Sequence, residues 1–124
     1  MKTILIALCI SLGGGGTASA AEDVSKLFAA CAGRYSAEIE HAWLVGTVET
    51  AAFETRRSEF VTLVEATAPP KGARHLLNHR IEAKFAQAKL LSLAMQQNDR
   101  RRARLARQLA TAHLKACALL LLPG

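Results

Sequence analysis

The chain has 124 residues, one domain's worth, with four Phe, one Trp and one Tyr. That supply excludes a core of large aromatic side chains and leaves Ala, Leu, Val and Ile to build a thin one, which suits closely packed helices. Sixteen Lys and Arg against ten Asp and Glu give a net charge of +6, which favours acidic partners.

Residues 1–20 read as a cleavable secretory signal. Lys2 supplies the positive start, residues 3–12 are apolar, Gly13 to Gly16 break the run, and Ala18-Ser19-Ala20 has the small-x-small pattern of a signal-peptidase site. Cleavage is expected before Ala21. The apolar run is shorter than the roughly 20 residues of a spanning helix, so no transmembrane segment is expected after cleavage. Cys9 lies inside that run and not at a lipidation site. The expected location is periplasmic or secreted.

The remainder, residues 21–124, is expected to form a single helical domain. Its charge is uneven. Residues 21–68 hold four basic and eight acidic side chains, a net −4, whereas residues 69–124 hold eleven basic and two acidic ones, a net +9.

Four helices are predicted, over 23–45, 47–67, 73–97 and 100–121, with no strand candidate. The first buries Val24, Phe28, Cys31, Tyr35, Ile39 and Ala42, and Gly33 within it implies a close helical neighbour. The second carries Val48, Ala52, Phe53, Phe60, Leu63 and Val64 inward and stops at Pro69-Pro70. The third points Leu77, Ile81, Phe85 (or Lys84), Ala88, Leu91 and Met95 at the core. The fourth points Leu105, Leu109, Ala112, Ala116, Leu119 and Leu120 inward, and the apolar run from Leu119 to Leu122 calls for a cover.

After signal removal the chain has two cysteines, Cys31 and Cys117. An even pair in an oxidising compartment reads as a disulfide. In an up-down-up-down bundle the start of the first helix and the end of the fourth share a pole, so that bond also demands a hairpin near Asn98. Asn98 and Asp99 suit a turn and an N-cap. The fold class is therefore all-α: a small up-down-up-down four-helix bundle tied by one disulfide.

No catalytic constellation emerges. Cys31 has no CxxC partner, and no serine sits in Gly-x-Ser-x-Gly. The carboxylate pairs Glu38/Glu40 and Glu54/Glu59 lie on charge-rich helix faces. His75 and His79 share a helix face at metal-chelating spacing, but Leu76 follows the first, so the metalloprotease signature is absent. A third ligand would have to be His41, His113 or Glu82. Tyr35 and Trp43 read as core and core-edge residues. No cofactor is expected.

Arg100, Arg101, Arg102, Arg104 and Arg107 are the strongest feature. Five like charges open the last helix, where they oppose its dipole. They serve either as partners of Glu38, Glu40 and Glu49 across the bundle or as a docking patch. Nucleic acid is a poor partner for an exported protein, and the interleaved aromatics of single-strand binders are missing. The expected function is that of an exported, non-enzymatic helical accessory or binding protein of the cell envelope. It would dock an acidic protein or an anionic lipid surface through this basic face. The alternative is a small metal- or ligand-binding periplasmic protein using His75 and His79.

Overall fold

The computed structural model describes residues 17–123. Four helices follow one another: α1 (Thr17–Leu44), α2 (Ala51–Thr67), α3 (Ala73–Ala94) and α4 (Arg100–Leu120). No strand occurs among the described residues. The main part of the expected signal, residues 1–16, lies outside them.

The contacts give the directions. α2 runs antiparallel to α1, since the buried Ser25 hydroxyl bonds the Thr67 carbonyl at 2.7 Å and Phe28 packs on Phe60 while Tyr35 reaches Phe53. α3 runs parallel to α1, with Leu76 near Ala29, Gln87 bonded to Glu38, and Met95 beside Leu44. α4 returns antiparallel to both: Ala110 meets Gln87, Arg107 meets Ala94, and Cys117 is bonded to Cys31. The bundle is thus up-down-up-down, and the disulfide joins its first and last helices with the Cα atoms 5.7 Å apart.

α1 is the central helix. From Ala29 to Ile39 it is buried on almost every side. Its sequence permits this because Ala29, Cys31, Ala32, Gly33, Ser36 and Ala37 are small, so neighbours approach closely from several directions. At Gly33 the approach is to backbone: a Cβ there would overlap the Arg80 carbonyl oxygen and lie 3.0 Å from the Lys84 nitrogen. Tyr35 stacks on Phe60 between α1 and α2, over the Cys31–Cys117 bond.

Several helix bounds differ from expectation. α1 begins at Thr17, six residues early, because nothing between Gly16 and Asp23 breaks a helix. α2 starts at Ala51 and not at Thr47, after Gly46 has turned the chain with φ of 75°, a conformation that glycine adopts without strain. α3 ends at Ala94, which leaves a full turn before α4.

The inward faces of α3 and α4 are corrected more strongly. On α4 the buried residues are Ala103, Ala106, Ala110 and Cys117, while Leu105, Leu109, Leu119, Leu120, Ala112 and Ala116 are exposed. The cover expected over Leu119 and Leu122 is absent among the described residues. On α3 the buried residues are Leu76 and Gln87, while Leu77, Ile81, Phe85 and Met95 face out. Val48 and Trp43 are likewise exposed, so Trp43 is no core-edge residue. The cause is common to both helices. Small side chains and one buried polar network let α1, α3 and α4 approach each other, and the larger apolar residues are rotated outward.

Candidate docking site

The α3–α4 hairpin builds the site. α3 closes with the Met95 and Gln96 amides donating to carbonyls of its last turn. Residues 95–99 reverse the chain, and Asp99 caps α4 by accepting from the Arg102 backbone N–H at 3.0 Å. That carboxylate satisfies an otherwise orphan donor and partly offsets the arginines that follow.

The five arginines do not form one patch. Successive helical residues are about 100° apart, so Arg100, Arg104 and Arg107 share a side of α4. Together with Ala94, Met95, Gln96, Gln97 and Ala103 they line an open groove of about 600 Å³. Arg101 and Arg102 lie on the other flank, toward the exposed leucines. Within the groove the Arg107 guanidinium donates to the Ala94 carbonyl at 3.0 Å, a C-terminal carbonyl of α3 that no helical N–H can reach. Arg107 therefore braces the hairpin, while Arg100 and Arg104 stay exposed.

None of the carboxylates nominated as internal partners meets the arginines. Glu40 pairs with Lys84, Glu38 accepts from Gln87 at 2.9 Å, and Glu49 is exposed in the α1–α2 connection. Among the described residues none of the five arginines is within ion-pair distance of a carboxylate. The same pole is apolar beside the groove. Trp43, Leu44, Val45 and Val48 are exposed there, and Met95 lines both the groove and a crevice that it shares with Leu44 and Val45.

A second polar centre is internal, and the sequence did not point to it. Gln87 on α3 is fully buried. Its amide nitrogen donates to the Glu38 carboxylate of α1 and, at 3.1 Å, to the Ala110 carbonyl of α4. Its amide oxygen faces His113 Nδ1 at 3.3 Å. An amide oxygen only accepts, so this contact assigns the proton to Nδ1. Burial raises the Glu38 carboxyl above its ordinary value, against the pull of the Gln87 bond. Burial also lowers His113, with the Arg34 charge acting the same way. Arg34 in turn approaches Cys117 Sγ at 3.6 Å. The network leaves no buried side-chain polar atom unpartnered among the described residues. Its chemistry is that of a three-helix clamp.

His75 and His79 sit on the first turns of α3 with their Nε2 atoms 3.3 Å apart and their rings edge to face. No third His, Cys, Asp or Glu joins them among the described residues. No helix there is long and apolar enough to cross a membrane. Comparison with protein-family models, curated proteins and solved structures finds no match.

Proposed function

We propose that this protein is an exported, non-enzymatic accessory protein that docks an acidic partner through the groove at the start of α4. The observation that carries the reading is that Arg100 and Arg104 line an open groove and have no carboxylate at hand among the described residues. Exposed arginines at the positive end of a helix cost stability locally. An external anion relieves that cost, and a guanidinium fork matches a carboxylate or a phosphate in two-point geometry. The α4 N-terminus, where Asp99 caps one backbone N–H, adds its dipole in the same direction. Met95, with Leu44 and Val45 in the adjoining crevice, supplies the non-polar contact area that a purely ionic site lacks. Export is supported by the signal-like residues 1–20 and by the disulfide, which persists in oxidising compartments.

The test compares wild type with Arg100→Gln/Arg104→Gln in two assays: sedimentation with phosphatidylglycerol vesicles, and titration with a glutamate-rich protein. Wild type should bind one of them, more weakly as salt rises from about 0.05 to about 0.5 M. The double variant should lose most of that binding while its melting temperature stays within about 5 °C, because an exposed charge contributes at most about 1 kcal/mol. Equal binding by both proteins, or binding by neither, would remove the groove from the function.

A further inference from the structure

The outer face of α4 is an apolar stripe with nothing packed on it among the described residues. Leu105, Leu109, Ala112, Ala116 and Leu119 follow one another at steps of 4, 3, 4 and 3. That is the a/d spacing of a helix that packs against another helix along its whole length. Leu105, Leu109 and Leu119 are 56%, 48% and 66% exposed, and Leu120 beside them is 43% exposed. The spacing is not required by the bundle, which uses the opposite face through Ala103, Ala106, Ala110 and Cys117. A helix with two faces of helix-packing period, one filled and one bare, is built for two neighbours.

We infer that the bare face is the interface of a symmetric dimer in which α4 packs antiparallel on α4 of a second copy, with Ala112 at the two-fold axis. Three properties select a second copy. The stripe is complementary to itself in reverse: Leu105 meets Leu119, Leu109 falls opposite the Ala116 region, and Ala112 meets its own counterpart. Large residues thus face small ones or close the ends, and the central alanines let the backbones approach. Two-fold interfaces demand this self-matching of one patch.

Charge agrees with the same direction. Antiparallel pairing sets Arg101 and Arg102 against the C-terminal end of the partner copy's α4, where the last carbonyls and the negative end of the dipole lie. Parallel pairing would instead bring ten arginines together at one end. The dimer gives the leucine-side arginines a counter-charge that the described residues of their own chain do not provide.

The dimensions fit a weak, reversible dimer. α4 has 21 residues, about 30 Å at 1.5 Å per residue. A strip of that length and about 10 Å width is about 300 Å² on each copy and about 600 Å² for the pair, the size of a transient contact and not of a permanent one. A dimer of micromolar strength is the expectation. Arg100, Arg104 and Arg107 lie on the other side of the helix and stay open in it, so this inference is independent of the proposed docking function.

The test is sedimentation equilibrium of the exported, oxidised protein from about 1 to about 100 µM, the range in which a micromolar association is visible. Wild type should pass from monomer to dimer mass. Leu105→Gln/Leu109→Gln should weaken association by at least about 100-fold, since each change counts twice in a symmetric interface. Its far-ultraviolet circular dichroism and melting should persist, because both side chains are exposed in the single chain. Register is read separately by adding a thiol. Ala112→Cys should form an intermolecular disulfide with itself on mild oxidation. Leu105→Cys should form one only when mixed with Leu119→Cys. A monomer at every concentration would overturn the proposal. So would a dimer indifferent to the leucine changes, or self-crosslinking through Leu105→Cys in place of Ala112→Cys.

Discussion

Replacing Gly33 by alanine puts two effects of opposite sign in competition. In a solvent-exposed helix the change is favourable by about 1 kcal/mol, because alanine loses less backbone entropy on folding. At this position the new methyl group would overlap the Arg80 carbonyl oxygen and stand 3.0 Å from both the Arg80 carbonyl carbon and the Lys84 nitrogen. These are backbone atoms of α3, so no side-chain rotation relieves the overlap. α1 and α3 must move apart by about 1 Å, and a gap of that size forfeits a quarter to a half of the dispersion energy of each contact it opens. The contacts at risk run the length of the α1–α3 interface, including the Glu38–Gln87 bond. Overpacking of this kind costs about 3 kcal/mol at the upper end of its usual range. Subtracting the helix-propensity gain leaves a net loss of about 2 kcal/mol. For a domain of about 100 residues that lowers the melting temperature by about 10 °C. Thermal unfolding followed at 222 nm, wild type beside Gly33→Ala, reads it directly. A variant that melts at or above the wild-type temperature would mean that α1 and α3 do not cross at Gly33, and the central placement of α1 would fall with it.

Removing the disulfide by Cys117→Ser should cost about 4.5 kcal/mol in the chain-entropy account, given a sequence separation of 86; a loss of unfolding free energy under about 1 kcal/mol, measured by urea titration, would contradict the bond. Asp99→Ala removes the side-chain cap on the Arg102 N–H and should lower stability by about 1 kcal/mol, with Asp99→Asn recovering most of it. The buried network sets two opposed pH dependences. Glu38 lies above its ordinary 4.5, so the folded state holds its proton more tightly, and this contribution is full below 4.5 and lost as pH rises through the raised value. His113 lies below its ordinary 6.5, so its contribution is full above 6.5 and lost as pH falls through the lowered value. Glu38→Gln should therefore make the urea midpoint rise more steeply with pH above 4.5, and His113→Asn should make it rise less steeply below 6.5; two variants with the wild-type slope would remove the network as a titrating unit.

The number, order and direction of the helices were legible because punctuation and periodicity agreed. Pro69-Pro70 stops α2, Asn98 and Asp99 mark the turn and cap before α4, and two cysteines admit only one pairing once residues 1–20 are set aside. Helix rotation was not legible from hydropathy. On α4 two stripes compete, the leucines at 105, 109 and 119 and the alanines at 103, 106 and 110, and hydrophobicity favours the wrong one. Cys117 was the available arbiter. It lies in register with Ala103, Ala106 and Ala110, and a disulfide to the central helix must face inward. On α3 no such marker exists. Gln87 reads as a surface residue unless Glu38 and His113 are known to converge on it, and that convergence is a property of three helices at once. The arginines were visible as a cluster, but their division into groove and flank needs the rotation of α4, so it was hidden for the same reason.

That rotation also separates folding from the proposed association in this chain. A bundle that turned the α4 leucines inward would need wider spacing between α1, α3 and α4. Gly33 against the Arg80 backbone and Gln87 bridging Glu38 to Ala110 both require narrow spacing. Small residues therefore take the interior, and the core relies on close backbone approach, the covalent tie at Cys117 and a satisfied polar clamp more than on buried leucine area. The leucines left outside lie in register with one another and alongside Arg101 and Arg102. On a monomer this arrangement exposes apolar surface and concentrates like charge. Pairing two α4 helices head to tail removes both penalties in one step. In the proposed dimer Arg100 and Arg104 of each copy would face solvent at opposite ends, with two of the proposed docking grooves in one assembly. A partner surface carrying repeated negative charge would then be held at two points, and loss of the leucine seam would weaken its binding without touching a single arginine.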